Sequence, residues 1–166
     1  MVFYYGLHAL FITATAVLSC IIFESAACFV MKKKNTISDL SAVVTGMILA
    51  ALCPASAPLW LPVLGGAFAI LICKIPFGGR GNNIFNPAAA AWLFMSTAFP
   101  AVMLSYPDPV IFSAPTGTAV VTASPLSDVA LGLTPNISAF ELAFGRFPGP
   151  MGATPIAVLA ACAIYL

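Results

Sequence analysis

The amino-acid sequence predicts an all-α polytopic membrane protein, and its composition and the spacing of its charges support that fold class. Of the 166 residues, 61% are hydrophobic and 7% are charged, whereas a soluble domain carries about 25% charged residues. Charged side chains are absent from three long stretches, residues 40–73, 81–107 and 147–166. A helix needs about 20 mainly apolar residues to cross a bilayer, so each stretch is long enough for one or two crossings.

The first predicted span covers residues 7–31, and its single charge is Glu24. Three consecutive lysines, residues 32–34, follow it directly. Because clustered lysines mark the cytoplasmic end of a span, this helix is expected to run from the outside to the cytoplasm. The apolar run is too long for a signal peptide, and no small-residue cleavage site follows it.

Glu24 is the first candidate functional residue. A carboxylate within the bilayer is costly and points by default to a function, so Glu24 is a candidate for an ion pathway. The alternative is a structural role, in which Glu24 hydrogen-bonds to a neighbouring helix or reaches the interface near the lysine triplet. The sequence leaves both interpretations open.

A second, shorter span is predicted at residues 39–52. Ser38 and Asp39 are favourable N-cap residues in front of an apolar run. Pro54 and Pro58 follow the span, and two prolines so close together predict a turn.

Basic residues also follow the third predicted span, residues 59–73. Lys74 and Arg80 come after it, which indicates the cytoplasmic side. Two crossings after the lysine triplet return the chain to that side, so the two assignments agree.

A polar break at residues 76–87 separates the third span from a fourth, predicted at residues 87–104. The break contains three glycines, three asparagines and two prolines. Asn86 is the expected cap of the new helix and Pro87 its first residue. Such a break is typical of a transporter site near the membrane midplane, but an ordinary cytoplasmic loop accounts for it equally well.

Residues 105–146 are rich in Ser, Thr, Pro and Gly and are predicted to form an extracytoplasmic loop. A last span is predicted at residues 150–166. The chain begins and ends abruptly within apolar runs, which is the pattern expected of a fragment or a shortened form of a longer protein.

Two stretches resemble a known family: SDLSAVVTG at residues 38–46 and FGGRGNNIFNPA at residues 77–88. The family contains RnfD, from the Rnf ion-translocating electron-transport complex, and NqrB, from the sodium-translocating NADH:quinone reductase. The resemblance extends over residues 3–166 and is closer to RnfD. It implies part of a urea-transporter-like inverted-repeat helical bundle, lying as a multi-pass protein in the bacterial inner membrane.

The resemblance also implies covalently bound FMN. Residues 118–126 match the attachment segment of the family, with Ser124 at the flavin-bearing position. The segment departs from the pattern at Thr118, where the family has aspartate, at Val121 and Thr122, and in having serine in place of threonine.

A second candidate for flavin attachment is Thr154, which ends a Gly-Ala-Thr sequence but lies in a segment that resembles a different part of the family. Ser124 ranks above it. Arg80, Asn83 and Asn86 of the polar break are further candidates for binding a flavin phosphate or ring, although supporting the broken backbone is the safer interpretation of these side chains.

The function that the resemblance implies is that of a membrane component of a redox-driven complex of the ferredoxin:NAD oxidoreductase type. It would use FMN to couple electron transfer to Na⁺ or H⁺ transport, with the other subunits and the lipid bilayer as partners. A channel or transporter without redox chemistry, or a non-functional truncated product, remains an alternative. The sequence has no basic face for nucleic acid, and one histidine and five acidic residues assemble neither a catalytic triad nor a metal cluster.

Overall fold

The computed structural model describes most of the chain as α-helix. It describes residues 2–31, 40–78, 83–107, 125–132, 134, 138, 140–141, 145, 147–154 and 156–165. Within these ranges there is no β-strand, in agreement with the predicted all-α class. The helices are α1 (Val2–Val30), α2 (Ser41–Leu52), α3 (Trp60–Ala67), the π-helix π1 (Phe68–Lys74), α4 (Pro87–Ala98), α5 (Pro100–Met103), α6 (Pro125–Ala130) and α7 (Ile156–Tyr165).

Helix α1 is the longest element and has a kink near its start. Gly6 has φ 70° and ψ −161°, a conformation that glycine adopts without strain. From Tyr5 to Val30 the helix is long and apolar enough to cross a membrane, and it alone reaches that length among the described helices. Two shorter apolar helices follow, Ser41–Leu52 and Trp60–Lys74.

Helices α1 and α2 pack with their backbones in close contact. A Cβ atom added at Gly46 of α2 would lie 2.7 Å from the Cα atom of Val17 and 3.0 Å from the carbonyl oxygen of Ala16. Small residues allow helices to approach in this way when the solvent offers no hydrophobic driving force between them. The short helix α2 is therefore fixed against α1 by its glycine.

The third predicted span, residues 59–73, forms α3 and continues without interruption as π1. The amide of Ile75 donates to the carbonyl oxygen of Ile70 over 3.0 Å, which is the i→i+5 spacing of a π-helix. Such segments are rare and occur often at functional sites. The wider turn changes the direction in which the last residue of π1, Lys74, faces.

The main core lies where α1, α2, α3, α4 and α5 meet. Fully buried apolar side chains fill it, and they include Ile12, Leu49, Leu61, Met95 and Met103. Phe68 of π1 and Phe94 of α4 stack beside this core with ring centroids 4.3 Å apart and planes 5° apart. The stacked rings thus hold π1, which precedes the polar break, against α4, which follows it.

The fourth predicted span, residues 87–104, consists of two helices. Helix α4 starts as predicted, with Pro87 as its first residue and the Asn86 side chain accepting a hydrogen bond from the amide of Ala88 over 3.0 Å. It ends at Ala98 because Phe99 precedes a proline and has φ −132° and ψ 57°. A residue before proline is disfavoured in the α conformation, so Pro100 starts the separate helix α5.

Helix α7 begins later than the predicted residue 150. Met151 and Gly152 lie in a turn whose amides donate to the end of α2, from Gly152 to the oxygen of Ala51 over 2.8 Å and from Met151 to the oxygen of Cys53 over 3.3 Å. The last carbonyls of a helix lack partners within it. This segment therefore supplies hydrogen-bond donors to the carbonyl oxygens at the end of α2 and is not part of α7. The predicted extracytoplasmic loop, residues 105–146, lies largely outside the described residues.

Candidate functional site

A buried ion pair joins α1 to π1. The ammonium group of Lys74 lies 2.8 Å from Oε2 of Glu24 and donates a hydrogen bond to it. The Lys74 side chain is 4% exposed and the Glu24 side chain 3% exposed. Glu24 thus contacts a neighbouring helix, as one of the two sequence interpretations allows.

The same ammonium group reaches the start of α2. Nζ of Lys74 donates a second hydrogen bond to Oγ of Ser41 over 2.7 Å. Ser41 is the first residue of α2 and Lys74 the last of π1. One cation therefore links the ends of two helices to a carboxylate within the third.

Apolar side chains border this ion pair, which we call the Glu24–Lys74 pair. Cys20, Ala42 and Ile70 form a buried cluster, and each lies next to Glu24, Ser41 or Lys74 in sequence or about one helical turn away. Ile21, Phe23 and Ile75 pack against the cluster. In such surroundings Coulomb attraction is stronger than in water, but the cost of removing both charges from water is also high.

That cost argues against stability as the only role of the pair. A buried ion pair is often no more stabilising than an apolar replacement of the same volume, while removing one partner costs about 3–5 kcal/mol. Ionisable groups inside a membrane are typical of ion pathways. The Glu24–Lys74 pair is therefore the strongest candidate site in the described part of the chain.

The polar break contributes a helix cap and one unsatisfied atom. Asn86 is exposed and uses its side chain to cap α4, which is the backbone role that the sequence favours. Oδ1 of Asn83 is buried and has no hydrogen-bond partner in the described structure. Arg80 lies outside the described residues.

Thr154 lies at the other end of the bundle, in a packed turn. It is fully buried, and its hydroxyl donates to the carbonyl oxygen of Met151 over 3.4 Å. A phosphoester at this hydroxyl would need space that the turn does not provide, so Thr154 does not fit covalent FMN. Ser124 lies outside the described residues.

Two titratable groups near this turn are held neutral by burial. Burial raises the pKa of the Cys53 thiol, just after α2, to about 12. Burial, and to a lesser degree the nearby Cys53, raises the pKa of the Tyr106 hydroxyl. Both groups stay protonated at physiological pH, so neither supplies an anionic thiolate or phenolate at this end of the bundle.

Comparison with known proteins places the chain in a family. The model of the NQR2, RnfD, RnfE family matches residues 1–166. The chain belongs to this family. The predicted resemblance is therefore confirmed over the entire length of the chain.

Similar members of the family are the D subunits of ion-translocating complexes. The chain is 41% identical over 130 residues to the D subunit of the Na(+)-translocating ferredoxin:NAD(+) oxidoreductase complex of Acetobacterium woodii, covering 78% of this chain and 39% of the relative. It is 33% identical over 157 residues to the D subunit of the ion-translocating oxidoreductase complex of Yersinia enterocolitica, covering 93% and 44%. The chain thus spans less than half the length of these relatives.

Sequence reasoning identifies one partner of the buried pair in this family member and misses the other. Glu24 is a candidate because a lone acid stands in an apolar span, whereas the position of Lys74 after a span indicates the cytoplasmic side and gives no sign of a partner. The structure buries Lys74 to 3% exposure beside Glu24, a contact that the sequence does not predict. The sequence does carry a signal for the pair: Glu24 interrupts one apolar run, and Lys74, of opposite charge, borders another.

Proposed function

We propose that this chain is a membrane component of a redox-driven ion-translocating complex of the ferredoxin:NAD oxidoreductase type. The observation that carries the proposal is the family match over residues 1–166, together with the relatives named as D subunits of such complexes. The partners are the other subunits of the complex, and the ion transported is Na⁺ or H⁺. The chain lies as a multi-pass protein in the bacterial inner membrane.

Exposed apolar surface supports the membrane location. Large side chains on α1 are far from buried, with Leu7 70%, Phe11 54% and Ile22 60% exposed. On α7, Ile164 is 87% exposed. Contiguous apolar surface of this kind is typical of contact with lipid or with another protein, and we assign it to the bilayer and to neighbouring subunits. The urea-transporter-like inverted-repeat bundle is the finer arrangement that we propose for these helices.

Glu24 is the residue that we assign to the ion pathway. Its carboxylate is buried within the longest apolar helix and is held by a cation from a neighbouring helix. Hard cations prefer oxygen ligands, and a carboxylate supplies them at a depth where water is scarce. The role of this chain in transport is therefore to bring a cation to Glu24.

FMN is the cofactor that we propose, attached to Ser124. When bound, the flavin supplies electron transfer that protein side chains cannot perform. The burial of Thr154 argues against attachment there, and the match of residues 118–126 to the attachment segment of the family supports Ser124. The chain contributes the hydroxyl to which the flavin phosphate would be joined.

A test of the proposed function starts from the chain tagged at its own chromosomal locus. Membranes are extracted with detergent, the tagged complex is purified, and flavin fluorescence of the denatured chain and its intact mass are recorded. We expect redox subunits to co-purify, the chain to carry the added mass of FMN, and membrane vesicles to take up Na⁺ or H⁺ when reduced ferredoxin and NAD are supplied. A chain that purifies alone, without flavin and without redox-driven uptake, would contradict the proposal and favour a channel or transporter without redox chemistry.

A further inference from the structure

We propose that the ammonium group of Lys74 is a tethered cation that occupies the Na⁺ site on Glu24, and that Na⁺ binds there only when Lys74 withdraws. The inference rests on the proposed function, since it concerns the same carboxylate. It adds a second residue, Lys74, as the group that controls access to the site. It also adds Ser41 as an oxygen that holds the lysine in place.

The position of the ammonium group carries the inference. Nζ of Lys74 lies between two oxygen atoms from different helices, 2.8 Å from Oε2 of Glu24 and 2.7 Å from Oγ of Ser41. The carboxylate of Glu24 supplies oxygen ligands of the kind that a hard cation takes. The group on which the lysine rests thus also suits the transported ion.

Charge makes occupancy by lysine and by Na⁺ mutually exclusive. Two unit positive charges a few ångströms apart repel strongly where the dielectric constant is low, and the described surroundings of the pair are the apolar cluster of Cys20, Ala42 and Ile70. A Na⁺ ion on Oε2 of Glu24 would lie at the position that the ammonium group of Lys74 occupies. Binding of Na⁺ therefore requires the ammonium group to move away from Oε2.

The π-helix provides a way for Lys74 to move. Lys74 is the last residue of π1, and the amide of Ile75 bonds to the oxygen of Ile70 instead of to the usual residue four positions earlier. Rewinding π1 to an α-helix would change the direction in which Lys74 faces, because the two helices differ in residues per turn. A rewound π1 would point Lys74 away from Glu24 and open the position beside Oε2 that the ammonium group occupies.

A purely structural clamp is the competing explanation. In that case the Glu24–Lys74 pair would only lock α1, α2 and π1 together, and neutral side chains of similar volume would replace it without loss of transport. The two explanations differ in how transport depends on Na⁺ concentration and in what a neutral pair restores.

The experiment uses the intact complex in inverted membrane vesicles and measures ferredoxin-driven Na⁺ uptake against Na⁺ concentration. The variants are Lys74→Met, the double variant Glu24→Gln with Lys74→Met, and Ser41→Ala. Lys33→Met, in the lysine triplet, is the matched control for loss of one positive charge. Flavin fluorescence and co-purification of the other subunits measure assembly separately.

We expect Lys74→Met to lower the Na⁺ concentration for half-maximal uptake at least about fivefold, the low end of the coupling between two ligands of one protein. Its maximal rate should also fall, because nothing displaces the bound ion. The double variant should assemble and take up no Na⁺. Ser41→Ala should lower the half-saturating concentration by a smaller factor, and Lys33→Met should match the wild type.

Unchanged half-saturation in Lys74→Met, or normal uptake by the double variant, would overturn the inference and support the clamp. If Lys74→Met does not assemble, Na⁺ uptake by the double variant distinguishes the inference from the clamp. If neither variant assembles, Ser41→Ala is the test, and an unchanged half-saturating Na⁺ concentration in that variant overturns the inference. Wild-type vesicles with redox-driven H⁺ uptake that is indifferent to Na⁺ would overturn the inference and leave the proposed function intact. Wild-type vesicles with no redox-driven uptake of either ion would overturn both.

Discussion

Gly46 of α2 lies against the backbone of α1 at Val17, so closely that a Cβ atom at residue 46 would be 2.7 Å from the Cα atom of Val17. Backbone cannot move aside as a flexible side chain does. The contact brings α2 to the distance from α1 at which Ser41 and Glu24 share the ammonium group of Lys74. A glycine on one helix thus supports the geometry of the candidate site.

Replacing Gly46 tests this contact. We expect Gly46→Ala to destabilise the folded chain by about 1–3 kcal/mol, the usual cost of overpacking, and to lower the Tm in detergent. Val44→Leu, at a position of α2 that is 53% exposed, is the control and should leave the Tm unchanged. A Gly46→Ala chain as stable as the wild type would show that the helices are not in close contact.

The cap of α4 gives a second prediction. Asn86→Ala removes the acceptor of the hydrogen bond from the amide of Ala88 and should cost about 1 kcal/mol. Asn86→Ser keeps an acceptor at the cap and should retain most of the stability. Thermal unfolding of both variants in the same detergent measures the difference, and equal losses would exclude a capping role for the side chain.

Thiol labelling tests the burial of Cys53. Burial raises the pKa of the Cys53 thiol to about 12, so less of it is thiolate at pH 8, and the thiolate is the reactive form. A chain with Cys53 as its single cysteine should therefore react with maleimide far more slowly at pH 8 when folded in detergent than after denaturation. Equal rates in the folded and the denatured chain would contradict the packing at the end of α2.

Flavin content distinguishes the two attachment candidates. Thr154→Ala should retain the flavin, because the Thr154 hydroxyl is fully buried in its turn. Ser124→Ala should abolish the covalent flavin. In-gel fluorescence of the denatured chains measures both, and a flavin that persists in Ser124→Ala but is lost in Thr154→Ala would reverse the assignment.

Local signals in the sequence predict the features that depend on neighbouring residues. The Asn86–Pro87 pair predicts where α4 begins, because capping and the fixed φ of proline act within one turn. The start of α2 is predicted less well. Ser38 and Asp39, the expected caps, lie outside the described residues, and Leu40 occupies the cap position with φ 53° and no side-chain hydrogen bond. The hydroxyl of the next residue, Ser41, accepts a hydrogen bond from the ammonium group of Lys74 and does not cap the helix.

Features that depend on how helices face one another cannot be predicted in this way. Apolar composition all round a helix gives no periodicity from which to read the buried face. The burial of Lys74 depends on the π-helix that it ends, and no residue type in π1 predicts the wider turn. The sequence therefore indicates Glu24 as a candidate but not its partner.

Ferredoxin-driven Na⁺ uptake by vesicles that carry Glu24→Gln together with Lys74→Met in the assembled complex tests the central claim most directly. The two replacements keep the approximate sizes of the side chains and remove both charges of the buried pair, so that no buried charge is left without its partner. The account predicts a complex that still assembles and still carries flavin but transports no Na⁺. Uptake at the wild-type rate in such vesicles would contradict it.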